Sequence, residues 1–444
     1  MKRCLALAIV LGMIGSRVAP THAANASSSY RALSIDTLVQ SGLTVTLLEA
    51  RVLVVNAGWL FAQSDGRYYP QGATRANAWI EIDGNKQSND SLIDWRNSTD
   101  PQQHSFNVIA AAHVQPGLHT VVLRSGAVGG RVFVGAGSNL SVLVGAAAHV
   151  MVQSLAADTG ALTFYNDHVP DGAPLPSHRS ILRQPIVSEG QPLIVLASGR
   201  SYLWSHYGDP MWGIFFDGKE PSNAAFTWTD NDLYSGAEEQ APMFNQAYFV
   251  ASNGTHAVSL EATSEPYQPP INEDDVVDYR IGAGTRLITL QGGLTVFGHA
   301  LNADSSKYAV NKRFAYVCID SKHGWPTCPR DGSEVVLARS GLTIPVGHNG
   351  VVFFAAKTRV QGGANDRGTV SLYLKLDGYI VGSVGVQQLG KPNAESTRTV
   401  AASYLAAAER ALRPGRHTIE VLARANGTFE HLSVTADLPL VWFD

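Results

Sequence analysis

The chain has 444 residues, 45% hydrophobic and 16% charged, with 42 Gly and 21 Pro. This composition excludes an acidic disordered chain and a coiled coil, and fits a turn-rich globular protein. The 33 Lys+Arg against 37 Asp+Glu leave a formal net charge of -4, so no global field draws in nucleic acid or an anionic membrane.

Residues 1–26 read as a cleaved signal peptide. Met1, Lys2 and Arg3 give a positive start, residues 5–14 form a short apolar run, and Ala24-Asn25-Ala26 offers a small-residue cleavage site, with Thr21-His22-Ala23 as a second. The run falls short of the roughly 20 apolar residues that cross a bilayer. The mature chain is therefore expected outside the cytoplasm, in periplasm or medium, without membrane insertion.

An internal repeat organises the rest. Alternating strands end in Asp83-Gly84, Asp217-Gly218 and Asp377-Gly378, a turn signal. A Gly-x-His turn follows each, at His119, His256 and His417, which are 36, 39 and 40 residues beyond the Asp. A third landmark closes each copy: residues 139–143, 286–290 and 431–434, the first two preceded by Gly-Ala-Gly at Gly135 and Gly282. Opening strands are read at 52–55, 193–196 and 351–354. All are short runs of branched and aromatic residues bounded by Gly, Pro, Asn or Asp.

The expected fold is all-β: three tandem β-sandwich (jelly-roll-like) domains after the signal peptide, at 27–148, 149–293 and 294–444. Residues 403–412 have a helical composition, yet their place in the repeat predicts a strand. The layout resembles jelly-roll modules of carbohydrate-binding and of surface or fibre proteins, a resemblance of architecture alone.

Local catalytic signatures are missing from the sequence: there is no Gly-x-Ser-x-Gly elbow, phosphate loop or His-Glu-x-x-His helix. The three histidines are expected to tie their turns to neighbouring backbone, and Asp83, Asp217 and Asp377 to bond their own turns. Two loops suit a sugar, since flat rings stack on its C–H faces while charged groups bond its hydroxyls. Residues 59–69 bring Trp59, Asp65, Arg67 and Tyr68; residues 202–212 bring Trp204, His206, Tyr207, Asp209 and Trp212, with Trp228 near the same end. The third copy, at 358–368, has no aromatic there. The competing reading packs these rings under the loops or between domains.

No cofactor is expected. Calcium has one candidate, Asn272-Glu273-Asp274-Asp275 with Asp278, but the run lacks defined ligand spacing and reads better as a solvated acidic loop. Cys318 and Cys328 bracket a turn-forming loop and predict a disulfide worth roughly 2–3 kcal/mol in an oxidising compartment. The sequence thus points to an exported non-catalytic protein binding a glycan or other cell-surface ligand. A structural or adhesive homo-oligomeric surface protein, and then a secreted hydrolase with a site split among loops, are the alternatives.

Overall fold

The computed structural model describes residues 28–94, 103–145, 149–165, 178–190, 192–203, 209–219, 227–228, 239–265, 276–291, 334–347, 352–362, 367–389, 396–406, 412–428, 432–436 and 440–443. The expected signal peptide, the cysteines Cys318 and Cys328, and the loop residues Trp204, His206 and Tyr207 lie outside them, as do residues 272–275 of the acidic run. The expected boundaries at 148/149 and 293/294 also fall at or beside residues outside the described set.

Among the described residues every regular element is a β-strand. The cause is visible in Arg75–Ile82, where Ala76, Ala78, Ile80 and Ile82 are buried and the residues between them face outward, the period of two that a half-buried strand requires. Of residues 403–412, expected as strand, 403–406 belong to the strand Ser396–Ala406, 407–411 lie outside the described residues, and Leu412 is not in a strand. Each Asp-Gly forms the expected tight turn. Asp83, Asp217 and Asp377 have φ of 51°, 50° and 51°, and their glycines 77°, 72° and 84°, the left-handed pair that matches strand twist in a two-residue hairpin.

Each sheet draws its strands from one stretch of chain, and each stretch supplies two antiparallel sheets. In the first, the central strand Gly58–Gln71 is flanked by Asn139–Val144, Arg131–Val134 and His104–Val114, while a second sheet runs Thr44–Val54, Gly117–Val128, Arg75–Ile82, Asn85–Lys86. Leu60, Ala62, Tyr68, Ile80 and Leu123 fill the space between. The second stretch repeats this around Pro192–Leu203 and the third around Val352–Gly362. On the outer edge of each second sheet the pairing register shifts at the same place, between Thr46 and Leu48, Ser180 and Leu182, and Val336 and Ala338. Bulges there twist an exposed edge away from intermolecular pairing.

The strand pairing corrects the alignment of the copies. Residues 52–55 lie on the edge strand Thr44–Val54 and just past it, with Val52 opposite His119; their counterparts are Ile186, opposite His256, and Leu342, opposite His417. The counterpart of 193–196 is instead the segment around Phe61. Phe61 faces Ala111 and Leu143, Ile194 faces Tyr248 and Leu290, and Phe353 faces Leu405 and Trp442. Trp442, and not residues 431–434, therefore closes the third copy.

A fourth core joins the copies. Phe61, Ile109 and Leu143 of the first, Ile194, Phe244 and Leu290 of the second, and Phe353 and Leu405 of the third form one buried cluster, with the rings of Phe61 and Phe353 edge to face at 6.3 Å. Burying each such side chain stabilises by about 2 kcal/mol. Around this core the copies close a ring. Ser91–Asp94 of the first packs on Glu239–Val250 and Pro192–Leu203 of the second; Thr227–Trp228 of the second packs on Ser396–Ala406 of the third; Tyr379–Leu389 of the third packs on Gly58–Gln71 and His104–Val114 of the first.

Candidate functional site

Residues 59–69 form a strand and not a loop, because they are the central strand Gly58–Gln71. Its alternation sends Leu60, Ala62 and Tyr68 into the first copy's own core and Phe61 into the shared one. Arg67 and Tyr69 follow Phe61 on that second face, beyond the apolar layer. Both are half-buried. The Arg67 guanidinium lies over the Tyr69 ring, 5.2 Å from its centroid, and Arg200 lies over Tyr202 at 5.1 Å, a cation–π arrangement built twice.

The Gly-Ala-Gly turns make room for it. Gly135 N donates to Arg67 O, and Gly282 N to Arg200 O, both at 2.9 Å. A Cβ on Gly135 would collide with the Arg67 side chain and come 2.7 Å from the Tyr69 ring; on Gly282 it would collide with Arg200 and come 2.8 Å from Tyr202. Ala136 N donates to Asp36 Oδ1 at 2.7 Å and Ala283 N to Asp158 Oδ1 at 2.6 Å, leaving an exposed carboxylate beside each platform. In both copies the arginine Nε is buried without a partner. Burial raises the Tyr69 phenol above its ordinary range; Arg67 pulls it down and Asp36 pushes it up. The register that equates Phe61, Ile194 and Phe353 places Arg359 and Gln361 at these positions in the third copy, so that copy keeps an arginine and lacks the ring.

Such a platform offers a flat apolar surface next to a forked, permanently charged donor. The fork matches a carboxylate or paired hydroxyl oxygens, and the ring matches an apolar face.

The other expected site residues separate. Trp59 is half-buried against the shared core, edge-on to His113 at 5.6 Å. Asp65, Tyr68 and Trp212 are 0% exposed, so they present no surface to a ligand in this structure; the loops expected to display them are strands whose periodicity turns them inside. Tyr68 lies tilted against Phe106, ring centroids 4.8 Å apart, and meets Ser125 Oγ at 3.5 Å, and burial drives its phenol far above the ordinary range. Asp209 opens the strand Asp209–Phe216, Trp228 ends Thr227–Trp228, and Asp278 lies on Val276–Ile281. Tyr69, Tyr202, Asp36 and Asp158 were not legible as a site from local motifs. The signal that finds them is the recurrence of Arg-x-Tyr together with Gly-Ala-Gly in the first two copies only.

The three histidines form identical clasps. Nδ1 of His119, His256 and His417 meets Oδ2 of Asp83, Asp217 and Asp377 at 2.6, 2.7 and 2.7 Å, and Nε2 meets the carbonyl of Gln115, Ser252 and Arg413 at 2.7, 2.9 and 2.8 Å. The tie to neighbouring backbone is as expected. The aspartates differ from expectation: Oδ1 accepts from the next strand, at Thr120, Ala257 and Thr418 N, because the left-handed backbone at Asp aims the side chain across the sheet.

No protein-family model and no curated protein matches the chain. Among solved structures, one of the infectious bursal disease virus Gt strain aligns over 91% of this chain and 81% of its own, at 9% identity and a TM-score of 0.23. The CBM22-1–CBM22-2 tandem domain of Paenibacillus barcinonensis Xyn10C aligns over 60% of this chain and 97% of its own, at 8% identity and a TM-score of 0.17. Scores this low carry no argument about activity, and function has to be read from the chain's own geometry.

Proposed function

We propose that the chain is an exported, non-catalytic binding protein that recognises a glycan or another cell-surface ligand through two platforms, Arg67–Tyr69 and Arg200–Tyr202. The observation that carries this reading is duplication: the same arginine over the same tyrosine, under the same glycine turn, beside the same aspartate, in two copies. A scaffold alone does not need the ring, since the third copy has Gln361 in its place. The exposed part of the mostly buried guanidinium is suited to acidic or hydroxyl-rich ligands and the ring to an apolar sugar face.

The test is a glycan array with the mature chain, followed by titration calorimetry on the best ligand. Tyr202→Ala and Tyr69→Ala should each weaken binding, by about 1 kcal/mol or about fivefold for loss of one cation–π and stacking surface, and the double variant should weaken it by about 25-fold. Retained affinity in the double variant would remove the platforms from the reading.

A further inference from the structure

The two ends of the ring differ. Along each central strand Phe61, Ile194 or Phe353 sits at the apolar level of the junction and a polar level follows. There Asp65 accepts from Ser403 Oγ of the third copy, which lies opposite Ala355, just past Phe353, and Ser198 Oγ of the second copy donates to the carbonyl of Asn107, the partner of Asp65. Apolar and polar levels thus come in the same order in all three copies, and the central strands run the same way along the shared core. Behind their starts, at Gly58, Pro192 and Val352, lie the turns that lead into the Gly-x-His clasps. The three clasp ends therefore share one face of the ring, and the Arg67–Tyr69 and Arg200–Tyr202 platforms lie toward the other.

The clasp face carries most of the large apolar side chains that the described residues expose, spread over three tips. On the first copy Leu53 and Leu118 are cross-strand neighbours, 58% and 64% exposed, with exposed Val55 beside them. The second contributes Val187. On the third, Tyr379 and Ile380 follow the Asp377-Gly378 turn at 77% and 58% exposure. Asp377 is bonded to His417, and Gly415, just before that histidine, pairs with Ile344, which brings Val346, 91% exposed, to the same end. The turn does not require these residues, because Asn85 and Lys86 hold the places of Tyr379 and Ile380 in the first copy. One contiguous apolar patch would mark the footprint of a single globular partner; apolar points on three separate tips suit a partner that is flat and deformable. Exposed Arg413 and Arg416 flank the third tip, where Asp377 is taken up by its clasp. Tyrosine and aliphatic side chains next to arginine form the composition that settles at the headgroup level of a bilayer, and the arginines add attraction to anionic lipid. The attraction is local, since the chain as a whole has a net charge of -4.

We propose that the clasp face is a membrane-docking surface: its tips, led by Tyr379 and Ile380 with Arg413 and Arg416, dip into the headgroup region of a bilayer that carries anionic lipid, and the ring stands on that bilayer with both platforms turned away. Contact is made by side chains at turns, without a spanning segment. The proposal stands apart from ligand recognition, whose residues lie toward the other end of the ring.

The experiment is flotation of the full mature chain with vesicles of phosphatidylcholine alone or of phosphatidylcholine mixed with phosphatidylglycerol, with light scattering on the same protein before lipid is added. The expected result is a chain that floats with the mixed vesicles and more weakly with phosphatidylcholine. Tyr379→Ser combined with Ile380→Ser should cut partitioning by roughly tenfold or more, and Leu53→Ser combined with Leu118→Ser, on a separate tip, should weaken it independently. Arg413→Gln and Arg416→Gln should each cost about fivefold on the mixed vesicles and little on phosphatidylcholine. Glycan binding by the Tyr379→Ser, Ile380→Ser variant should match that of the unaltered chain, so the fate of the platforms is read separately. Failure to float with either vesicle overturns the proposal on the unaltered protein, and so does flotation that the Tyr379→Ser, Ile380→Ser variant retains in full. A dimer in solution that this variant disperses, with no flotation, assigns the face to a second copy of the chain instead.

Discussion

Each clasp places both ring nitrogens of a histidine against acceptors, a carboxylate on one side and a backbone carbonyl on the other. A neutral imidazole has one N–H and leaves one of these contacts without a proton; the imidazolium satisfies both. The hydrogen bonds to Asp83 and Asp217 are the largest influence on His119 and His256 and raise them, with burial opposing in part. For His417 burial is the largest influence and lowers the pKa, but the bonds to Asp377 and Arg413 O together outweigh it. The aspartates move down: Asp217 chiefly through its bond to His256, Asp83 and Asp377 despite burial that pushes the other way. A raised histidine contributes stability that is complete below its unfolded pKa of about 6.5 and is lost as pH climbs through the folded value; a lowered aspartate contributes stability that is complete above about 3.9 and is lost as pH falls through its folded value. The clasps should therefore hold best in mildly acidic solution. NMR titration should place all three imidazoles above about 6.5, urea midpoints should decline on the alkaline side of those values, and Asp83→Asn should return His119 alone toward the ordinary range. A histidine titrating at or below that range would show that the clasp does not carry charge.

At the scale of elements, what could be read from the sequence was what is written in turn chemistry. Asp-Gly and Gly-x-His mark the hairpin and the clasp because backbone at positive φ tolerates few residues, so the landmarks survive in every copy. The strands between them were legible as strands but not in their alignment, since a period of two looks the same whichever neighbour it pairs with. That is why residues 52–55 were matched with 193–196, and why Asp65 and Tyr68 were expected on a loop when they lie inside a long central strand. Two glycines separate these levels. Gly218 has φ of 72° and open space where a Cβ would stand, so Gly218→Ala should cost about 1 kcal/mol of stability through backbone conformation alone and leave ligand affinity unchanged. Gly135 carries no left-handed strain, but a Cβ there would strike Arg67 and Tyr69. Gly135→Ala should displace that platform and weaken binding out of proportion to its effect on the urea midpoint. Equal effects of the two substitutions on affinity would show that the turn does not position the platform.

The whole molecule is decided by faces that single-copy reasoning leaves unexplained. At its Phe61, Ile194 or Phe353 end each central strand is apolar on both sides because one side fills its own sandwich and the other fills the junction, where these three residues meet in one cluster with the ring of three sandwich-to-sandwich contacts around it. Sequence alone could count three copies at about 140 residues each, but an outward-facing phenylalanine on one strand reads equally as core, loop or interface until its counterparts are seen beside it. If the junction is a true core, removing its centre should be felt in every copy. Phe353→Ala should cost about 3–5 kcal/mol, and amide hydrogen exchange should accelerate not only in Val352–Gly362 and Ser396–Ala406 but also in Gly58–Gln71, His104–Val114 and Pro192–Leu203, whose side chains share the cluster. Acceleration limited to strands of the third copy would mean that the copies unfold separately and touch without cooperating; spread through all three, it makes the closed ring the unit of stability.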